Sequence, residues 1–260
     1  MGTKKVLAVL FIVIAVSATI AYIAGTGSLF SPPAPNLIYA PTMPSSNEKV
    51  VCLLFDDGWK SHLEAASVLA SYNFTATFPI ITSYVGYPAY MSWEDISTLA
   101  KQGNDIVSHT QTHLNLSAVD EQTLQSELAN SQQVLRSKGY ATDVLVYPYG
   151  EGATNWTVRN LVAQYYSVAS TTQSGKCSLS SFDRYNVASY GIYRNTTLTE
   201  FTSYLNGTQG DTITVLYYHK VSDENLDTAV TMEAFQSQMQ YLKDNGFIIR
   251  TISQEFLKPE

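Results

Sequence analysis

Basic residues are scarce in this sequence, and this scarcity limits the partners that can be expected for it. Lys and Arg total 15 of 260 residues against 22 Asp and Glu, which gives a formal net charge of −7. The basic residues are also scattered rather than clustered. Because the phosphates of nucleic acids require a basic face on the protein, these features argue against nucleic acid as a ligand.

Cysteine is rarer still, with two residues in the chain. Cys52 lies in an apolar run and is expected to be a small core residue. A bridge to Cys177 would require the two Cα atoms to approach closely, and nothing in the sequence brings them together. We therefore expect the two thiols to remain apart.

Hydrophobic residues make up 45% of the chain, enough to bury one sizeable core. From residue 49 onward, strand-like apolar runs alternate with amphipathic stretches, which predicts a βα repeat and a largely parallel sheet. The predicted strands are 50–55, 77–81, 105–108, 144–147, 185–188, 212–218 and 248–252. The predicted helices are 61–71, one opened by a capping box at 92–95 and closed by Gly103, one capped by 117–120 and ending before Gly139, 155–166, and one carrying Phe235, Met239 and Leu242 and ending at Gly246.

An uncharged apolar stretch lies near the start of the chain. Two lysines precede Val6–Ala24, which is nineteen residues long, enough to cross a bilayer with a cytoplasmic N-terminus. We predict a membrane anchor in residues 1–24, and a cleaved signal peptide stays open as the alternative. Residues 25–48 are rich in Gly, Ser and Pro and are predicted to be a linker that places a domain at 49–257 outside the cytoplasm.

Distinctive polar residues follow four predicted strands at the points where the strands end. In barrels of parallel strands these ends form one face, which carries the chemistry. His109 and His113 are four residues apart, so on a turn of helix both imidazoles would project to one side and could bind a transition metal. His62 is instead predicted to lie on the surface of the first helix. The strand-end groups are Asp56-Asp57, His109 with His113, Pro148-Tyr149-Gly150 and His219.

In this order and spacing, the sequence resembles the polysaccharide deacetylases of the NodB-homology type over about residues 49–257. The resemblance implies an α/β fold, a distorted (β/α) barrel, and metal-dependent removal of acetyl groups from N-acetylated sugars. The segments that carry it are Leu54-Phe55-Asp56-Asp57-Gly58, His109-Thr110-Gln111-Thr112-His113, Tyr147-Pro148-Tyr149-Gly150 and Tyr217-Tyr218-His219, with Met91-Ser92-Trp93-Glu94-Asp95 also similar.

The resemblance assigns a role to each polar group. It implies that Asp57, His109 and His113 hold a divalent metal, for which we expect Zn²⁺ because zinc accepts imidazole and carboxylate ligands. Asp56 would be the general base that takes a proton from the attacking water. His219 would be the general acid that protonates the leaving amine.

The Pro-Tyr-Gly turn would serve the developing oxyanion. The backbone N–H of Tyr149 is similar in position to the group that helps to hold the oxyanion in the family, with Pro148 beside it. Gly150 then allows a sharp turn. Trp59, which follows the acidic pair, is a candidate to line the sugar groove.

Two departures from the family pattern concern the tuning of the acid and the base. Many members carry an Arg that holds the base two residues before the Pro, and Val146 occupies that position here. Arg184 is the candidate substitute. The family's Asp-x-x-Asp-Trp element, which tunes the acid histidine, is absent, and Asp183 is the nearest candidate for that role.

Alternative functions stay open at this point. One is a metallo-hydrolase on the same fold that cleaves a small amide or imide, and another is a membrane-anchored carbohydrate-binding protein without catalysis. A non-haem iron oxygenase is less favoured, because its carboxylate usually lies beside the first histidine. A zincin is disfavoured because Thr110, not Glu, follows His109. We expect a monomer that acts on an N-acetylated polysaccharide or oligosaccharide.

Overall fold

The structure, a computed structural model, describes residues 37–140 and 143–259. Strands and helices alternate through most of this range, as expected for a βα repeat. The strands are β1 (Leu37–Tyr39), β2 (Val50–Phe55), β3 (Thr77–Ile80), β4 (Asp105–Ser108), β5 (Val144–Val146), β6 (Val168–Ser170), β7 (Cys177–Ser178), β8 (Tyr190–Gly191), β9 (Thr212–Tyr218), β10 (Lys220–Val221), β11 (Ala229–Val230), β12 (Ile248–Arg250) and β13 (Leu257–Pro259). The helices are α1 (His62–Ser71), α2 (Trp93–Lys101), α3 (Glu121–Ser137), α4 (Trp156–Tyr165), α5 (Leu198–Leu205), α6 (Met232–Asp244) and α7 (Ile252–Phe256).

The main sheet follows the path β6-β5-β4-β3-β2-β9-β7. Its pairs are parallel except β7–β9, which is antiparallel. β8 pairs with the second half of β9, and three residues earlier Val187 forms a bridge to Ser170 of β6. The result is an α/β half-barrel in which the short segment from Val187 to β8 spans the gap between β6 and β9. The structure has no strand at 185–188 as predicted, and Val187 forms only this single bridge.

The uninterrupted apolar run of β2 is explained by burial of both its faces. Val51, Leu53 and Phe55 pack in a cluster with residues of α1, α2 and α6. The alternate residues of β2 pack in a second cluster inside the half-barrel, together with residues of β9 and α7. β2 is therefore a central element whose carboxyl end is fixed from two sides.

The two ends of the half-barrel carry different groups, with polar side chains at one end and a helix packed across the other. The carboxyl ends of β2, β4, β5 and β9 carry the polar strand-end groups. At the opposite end α7 packs against the first residues of two strands, because Ile252 N donates to Thr77 Oγ1 (2.9 Å) and Ser253 N donates to Asp105 Oδ2 (3.1 Å). β13 follows α7 directly and pairs antiparallel with β1.

Several boundaries differ from the sequence predictions for local reasons. The capping box before α2 is confirmed, but α3 is capped by Asp120, whose Oδ1 accepts from Thr123 N (2.7 Å), and not by Ser117. Ile252 opens α7 instead of ending β12, because Thr251 caps that helix. The short helix α5 was not predicted. β1 lies within the stretch that we predicted as a linker.

The cysteines remain apart, as expected. Cys52 is aligned with Val215 and Cys177 with Ile213, so β9 lies between the two cysteine-bearing strands. Two strand spacings amount to about 10 Å, which exceeds the reach of a disulfide. Both residues are buried free thiols.

The predicted anchor at 1–24 lies outside the described residues, as does most of the predicted linker. Within 37–140 and 143–259, none of the helices combines the length and apolar character that a bilayer crossing requires.

Candidate metal centre and active site

Asp57 lies on a tight turn, Asp56–Gly58, that begins directly after β2. Asp57 has φ 78° and Gly58 has φ 79°, so two successive residues adopt the left-handed conformation. For a residue with a Cβ this conformation costs about 1–2 kcal/mol and persists where surrounding contacts impose it. One such contact is the bond from Trp59 Nε1 to Asp57 Oδ2 (2.8 Å). The turn therefore aims the buried Asp57 carboxylate in a fixed direction.

The two histidines lie on an irregular loop after β4, and the prediction that they share a turn of helix is wrong. Thr110 has φ 64° and His113 has φ 63°, which a helix does not allow. The Oγ1 atom of Thr110 accepts from His113 N (3.1 Å) and folds the loop back on itself. This fold, not helical periodicity, turns both imidazoles to the same side.

A carboxylate on α3 holds this loop in place. Glu127 is buried, and its two oxygens accept from Thr112 N (2.8 Å) and Thr112 Oγ1 (2.5 Å). One turn further along, Asn130 Nδ2 donates to Gln111 Oε1 (2.9 Å). Sequence reasoning missed Glu127, although it precedes Leu128 on the stripe that buries Leu124 and Leu128.

The three candidate ligands converge on one point. Asp57 Oδ1 lies 3.4 Å from Nε2 of His109 and 3.4 Å from Nε2 of His113, and the two Nε2 atoms are 3.2 Å apart. His109 Nδ1 lies 2.7 Å from the carbonyl oxygen of Val146, which only accepts, so Nδ1 carries the proton and Nε2 presents a lone pair. Lone pairs and a carboxylate oxygen that face one another repel unless a cation lies between them. The donor set thus fits a divalent metal.

The electrostatics of two of the three ligands, Asp57 and His113, agree with this fit. The third differs in the metal-free cluster: burial lowers the pKa of His109, but the hydrogen bond to Asp57 and the charges of Asp56 and Asp57 outweigh burial and raise it, so a cation must displace a proton from His109. Burial alone would raise the pKa of Asp57, but the hydrogen bond and charge of His109, with the charges of His219 and His113, lower it well below its usual range. Burial, helped by the charge of His109, lowers the pKa of His113 to about 4. The Asp57 carboxylate is therefore ionised and the His113 imidazole neutral near neutral pH, as metal ligands must be.

Asp56 and His219 lie next to the candidate ligands. Asp56 is buried, and burial raises its pKa to about 6 against the opposing charges of His109 and His219. Its Oδ1 has no hydrogen-bond partner among the described residues, and the same holds for Nδ1 of His219. Each group thus has one buried polar atom that no described residue binds.

The Pro-Tyr-Gly turn completes the rim. Tyr149 has φ 59°, and its ring, which is 62% exposed, lies 4.7 Å from the ring of His113. Gly150 is required, because a Cβ there would lie 1.9 Å from Oγ1 of Thr172. Pro148 is buried and, having no N–H, leaves Tyr149 as the candidate backbone donor of this turn.

Asp183 and Arg184 do not take the tuning positions that we suggested for them. Both oxygens of Asp183 pair with the guanidinium of Arg159, which lowers the pKa of Asp183. The guanidinium of Arg184 lies over the rings of Tyr39 (5.3 Å) and Tyr185 (4.8 Å). The reason is local: Asp183 forms an ion pair with Arg159, and Arg184 packs on the two aromatic rings beside it.

His62 is the second correction. It is fully buried instead of exposed, and its Nε2 lies 2.5 Å from the carbonyl oxygen of His219. The sequence contained the signal, because Ala65, Ala66 and Leu69 follow at i+3, i+4 and i+7 and form the buried face of α1. Its location beside the site was not readable from that pattern.

Comparison with known proteins agrees with the geometry. Residues 44–167 match the family model described as polysaccharide deacetylase. This segment is therefore similar to the polysaccharide deacetylases. The chain is also 31% identical over 134 residues to YxkH of Bacillus subtilis (strain 168), a protein named as a polysaccharide deacetylase, and the match covers 51% of this chain and 48% of that protein.

Two further relatives carry more specific names. A peptidoglycan-N-acetylglucosamine deacetylase of Bacillus cereus (strain ATCC 14579) is 29% identical over 136 residues, covering 50% of this chain and 48% of that protein. The matches therefore span about half the length of both curated relatives. The solved Bc1960 peptidoglycan N-acetylglucosamine deacetylase superposes with a TM-score of 0.60 at 21% identity, covering 84% of this chain and 91% of that one. At this identity the likeness shows the deacetylase fold.

Proposed function

We propose that this protein is a metal-dependent hydrolase that removes N-acetyl groups from an N-acetylhexosamine polysaccharide or oligosaccharide outside the cytoplasm. The observation that carries the proposal is the convergence of Asp57, His109 and His113 within 3.4 Å of one another at the carboxyl end of the half-barrel. Two further titratable groups, Asp56 and His219, lie beside this cluster, and within 37–140 and 143–259 no hydrogen-bond partner is found for Oδ1 of the first or Nδ1 of the second.

Asp57, His109 and His113 would hold the cation, and zinc suits this set of two imidazoles and one carboxylate. When bound, a divalent cation supplies Lewis acidity, which polarises a carbonyl and acidifies water. Two of the ligands are oriented by hydrogen bonds on the side away from the cluster. The Val146 carbonyl accepts from His109 Nδ1, and the Trp59 indole donates to Asp57 Oδ2.

The remaining residues move protons and stabilise charge. Asp56 takes a proton from the attacking water, and its pKa of about 6 places it close to the range in which a carboxylate is an effective base. His219 donates a proton to the amine as the tetrahedral intermediate collapses. The backbone N–H of Tyr149 stabilises the oxyanion of that intermediate.

The substrate and location complete the proposal. The names of the curated relatives, one of them a peptidoglycan deacetylase, favour an N-acetylated glycan. The exposed ring of Tyr149 beside His113 offers a face for a sugar. We propose that residues 1–24 tether the chain to a membrane, that residues 25–48 act as a spacer, and that the protein acts as a monomer.

The test is acetate release from chito-oligosaccharides by the purified chain after chelation and after re-addition of Zn²⁺. We expect release that is lost with chelator and restored by the metal, and that is absent in the Asp56→Asn variant. Binding of the oligosaccharide without release would instead support a carbohydrate-binding protein. Hydrolysis of small amides or imides with no action on the oligosaccharide would support the other alternative.

A further inference from the structure

His62 occupies an unusual position for a histidine. It lies in the first turn of α1 with no measurable exposure, and its ring packs against Phe55 (5.6 Å between centroids) and Phe78 (5.9 Å). Phe55 is the last residue of β2 and immediately precedes Asp56. Burial lowers the pKa of His62 to about 4, so the ring is neutral near neutral pH and carries one N–H.

That single N–H of His62 donates a hydrogen bond to the backbone of His219, the proposed general acid. Because the carbonyl oxygen of His219 only accepts, the proton lies on Nε2 of His62, which donates over 2.5 Å. Nδ1 of His62 is buried and has no hydrogen-bond partner among the described residues. A phenylalanine would fill this apolar space without a buried unpaired nitrogen, whose presence is unfavourable. The one feature that the histidine adds is its bond to His219.

His219 has little else to fix it. It lies just beyond the last residue of β9 and just before Lys220, the first residue of β10. Its Nδ1 has no hydrogen-bond partner among the described residues, and Asp183, the carboxylate suggested for it, pairs with Arg159. The imidazole packs edge-to-face against the ring of Tyr217 (5.7 Å between centroids), which leaves its hydrogen-bonding atoms unfixed. The contact from α1 is a side-chain hydrogen bond to the His219 backbone, from which the imidazole extends.

We infer that His62 is a positioning residue that fixes the location of the general acid by binding the His219 carbonyl. The inference rests on the role proposed for His219. In the part of the chain that the structure describes, the hydrogen bond of His62 goes to His219 and not to a candidate metal ligand, so metal affinity and acid positioning are separable.

Three substitutions test it. His62→Gln keeps an N–H donor at the reach of Nε2, whereas His62→Asn carries its amide nitrogen at the shorter reach of Nδ1, and His62→Phe fills the space with no donor. We expect kcat of the Asn and Phe variants to fall by about ten- to a hundredfold with little change in KM or in Zn²⁺ affinity. The Gln variant should recover most of the loss. If His62 had only a structural role, kcat would instead rank in the same order as the melting temperature. In that order we expect His62→Phe to lie above His62→Gln, because phenylalanine fills the apolar space without a buried polar group.

A second readout does not depend on activity. The chain has four histidines, so the ring signals of ¹³C-labelled histidine are few, and the His219 signal is identified by its loss in His219→Ala. In metal-free protein this signal should shift in the Asn and Phe variants and return in Gln. A signal that is unmoved in both Asn and Phe overturns the inference. Absence of acetate release by the parent would overturn the proposed function, and the signal would still decide the positioning role.

Discussion

The indole N–H of Trp59 binds Oδ2 of Asp57 at 2.8 Å, and this leaves Oδ1 as the oxygen that faces both imidazoles. The indole is itself held between the ring of Tyr90 at 4.4 Å and the ammonium of Lys220 at 4.6 Å. One oxygen of the carboxylate thus faces the candidate metal site and the other is bound by the protein.

Trp59→Phe should weaken metal binding without unfolding the site. The phenyl ring keeps the stacked position but donates no hydrogen bond, so the Asp57 carboxylate gains freedom to rotate. We expect Zn²⁺ affinity to fall by about tenfold, as for other groups that orient a ligand. Competition with a chelating dye measures this, and Tyr90→Phe, which keeps the stack and the indole, is the matched control. Equal affinities in parent and Trp59→Phe would show that the indole bond does not orient the ligand.

Glu127→Gln should destabilise the histidine loop. A neutral amide has one accepting oxygen in place of two charged ones, so at most one of the two bonds that Glu127 accepts from Thr112 is kept, and we expect a loss of about 1–3 kcal/mol. Urea unfolding of metal-free protein measures the loss. The control is Glu121→Gln at the exposed start of the same helix, where we expect a change within about 0.5 kcal/mol. A Glu127 variant as stable as this control would contradict the role given to Glu127.

Asp56→Asn should separate proton transfer from metal binding. The asparagine has nearly the same shape but cannot take a proton, so we expect acetate release to fall by about 10²–10⁴-fold while Zn²⁺ affinity stays close to that of the parent. His113→Ala should do the reverse and lose metal affinity first. Turnover in Asp56→Asn equal to that of the parent would refute the assignment of the base.

His62 should make the stability of the metal-free protein depend on pH. Its pKa is about 4 in the folded chain, against about 6.5 for an unperturbed histidine. Between these values the unfolded chain binds more protons, so stability falls as the pH falls, by about 3 kcal/mol over the whole window.

The measurement compares the parent with His62→Gln, which does not titrate in this range. We expect the free energy of unfolding of the parent to decline relative to the variant as the pH is lowered from 7 to 4. A difference that stays constant over this range would mean that the histidine is not buried in its neutral form.

The strand-end groups could be found from the sequence because the signals are local. The apolar run that forms β2 stops at Asp56, and the run that forms β9 stops at His219, so each polar group marks the end of a strand. In a parallel sheet these ends lie on one side whatever the details of the loops. The location of the candidate site therefore followed from periodicity and from the resemblance together.

The backbone of the site could not be predicted in the same way. Asp57, Thr110, His113 and Tyr149 all adopt left-handed conformations, which non-glycine residues rarely do and which no local pattern indicates. They are imposed by distant contacts, such as that from Glu127 to the loop of His109 and His113. The spacing of the two histidines therefore correctly indicated that both could face one metal ion. The helical geometry that we inferred from that spacing was wrong, because distant contacts shape the loop.

The sequence did not reveal which charged side chains form ion pairs with one another either. Asp183 is 24 residues from Arg159 in sequence, and no periodicity predicts that the two meet. His62 was different, because its apolar spacing with Ala65 and Leu69 indicated burial and was outweighed by the expectation that a lone histidine on a helix is exposed.

The pairing of β1 with β13 fixes where the described part of the chain begins relative to the candidate site. Both strands join the domain beside α7, at the end of the half-barrel where β3 and β4 begin. Leu37, the first described residue, therefore lies toward the end of the half-barrel opposite the cluster of Asp57, His109 and His113. If the tether proposed above exists, the candidate site is at the far end of the half-barrel from the residue at which the described part of the chain begins, where a polymeric substrate has free access to it.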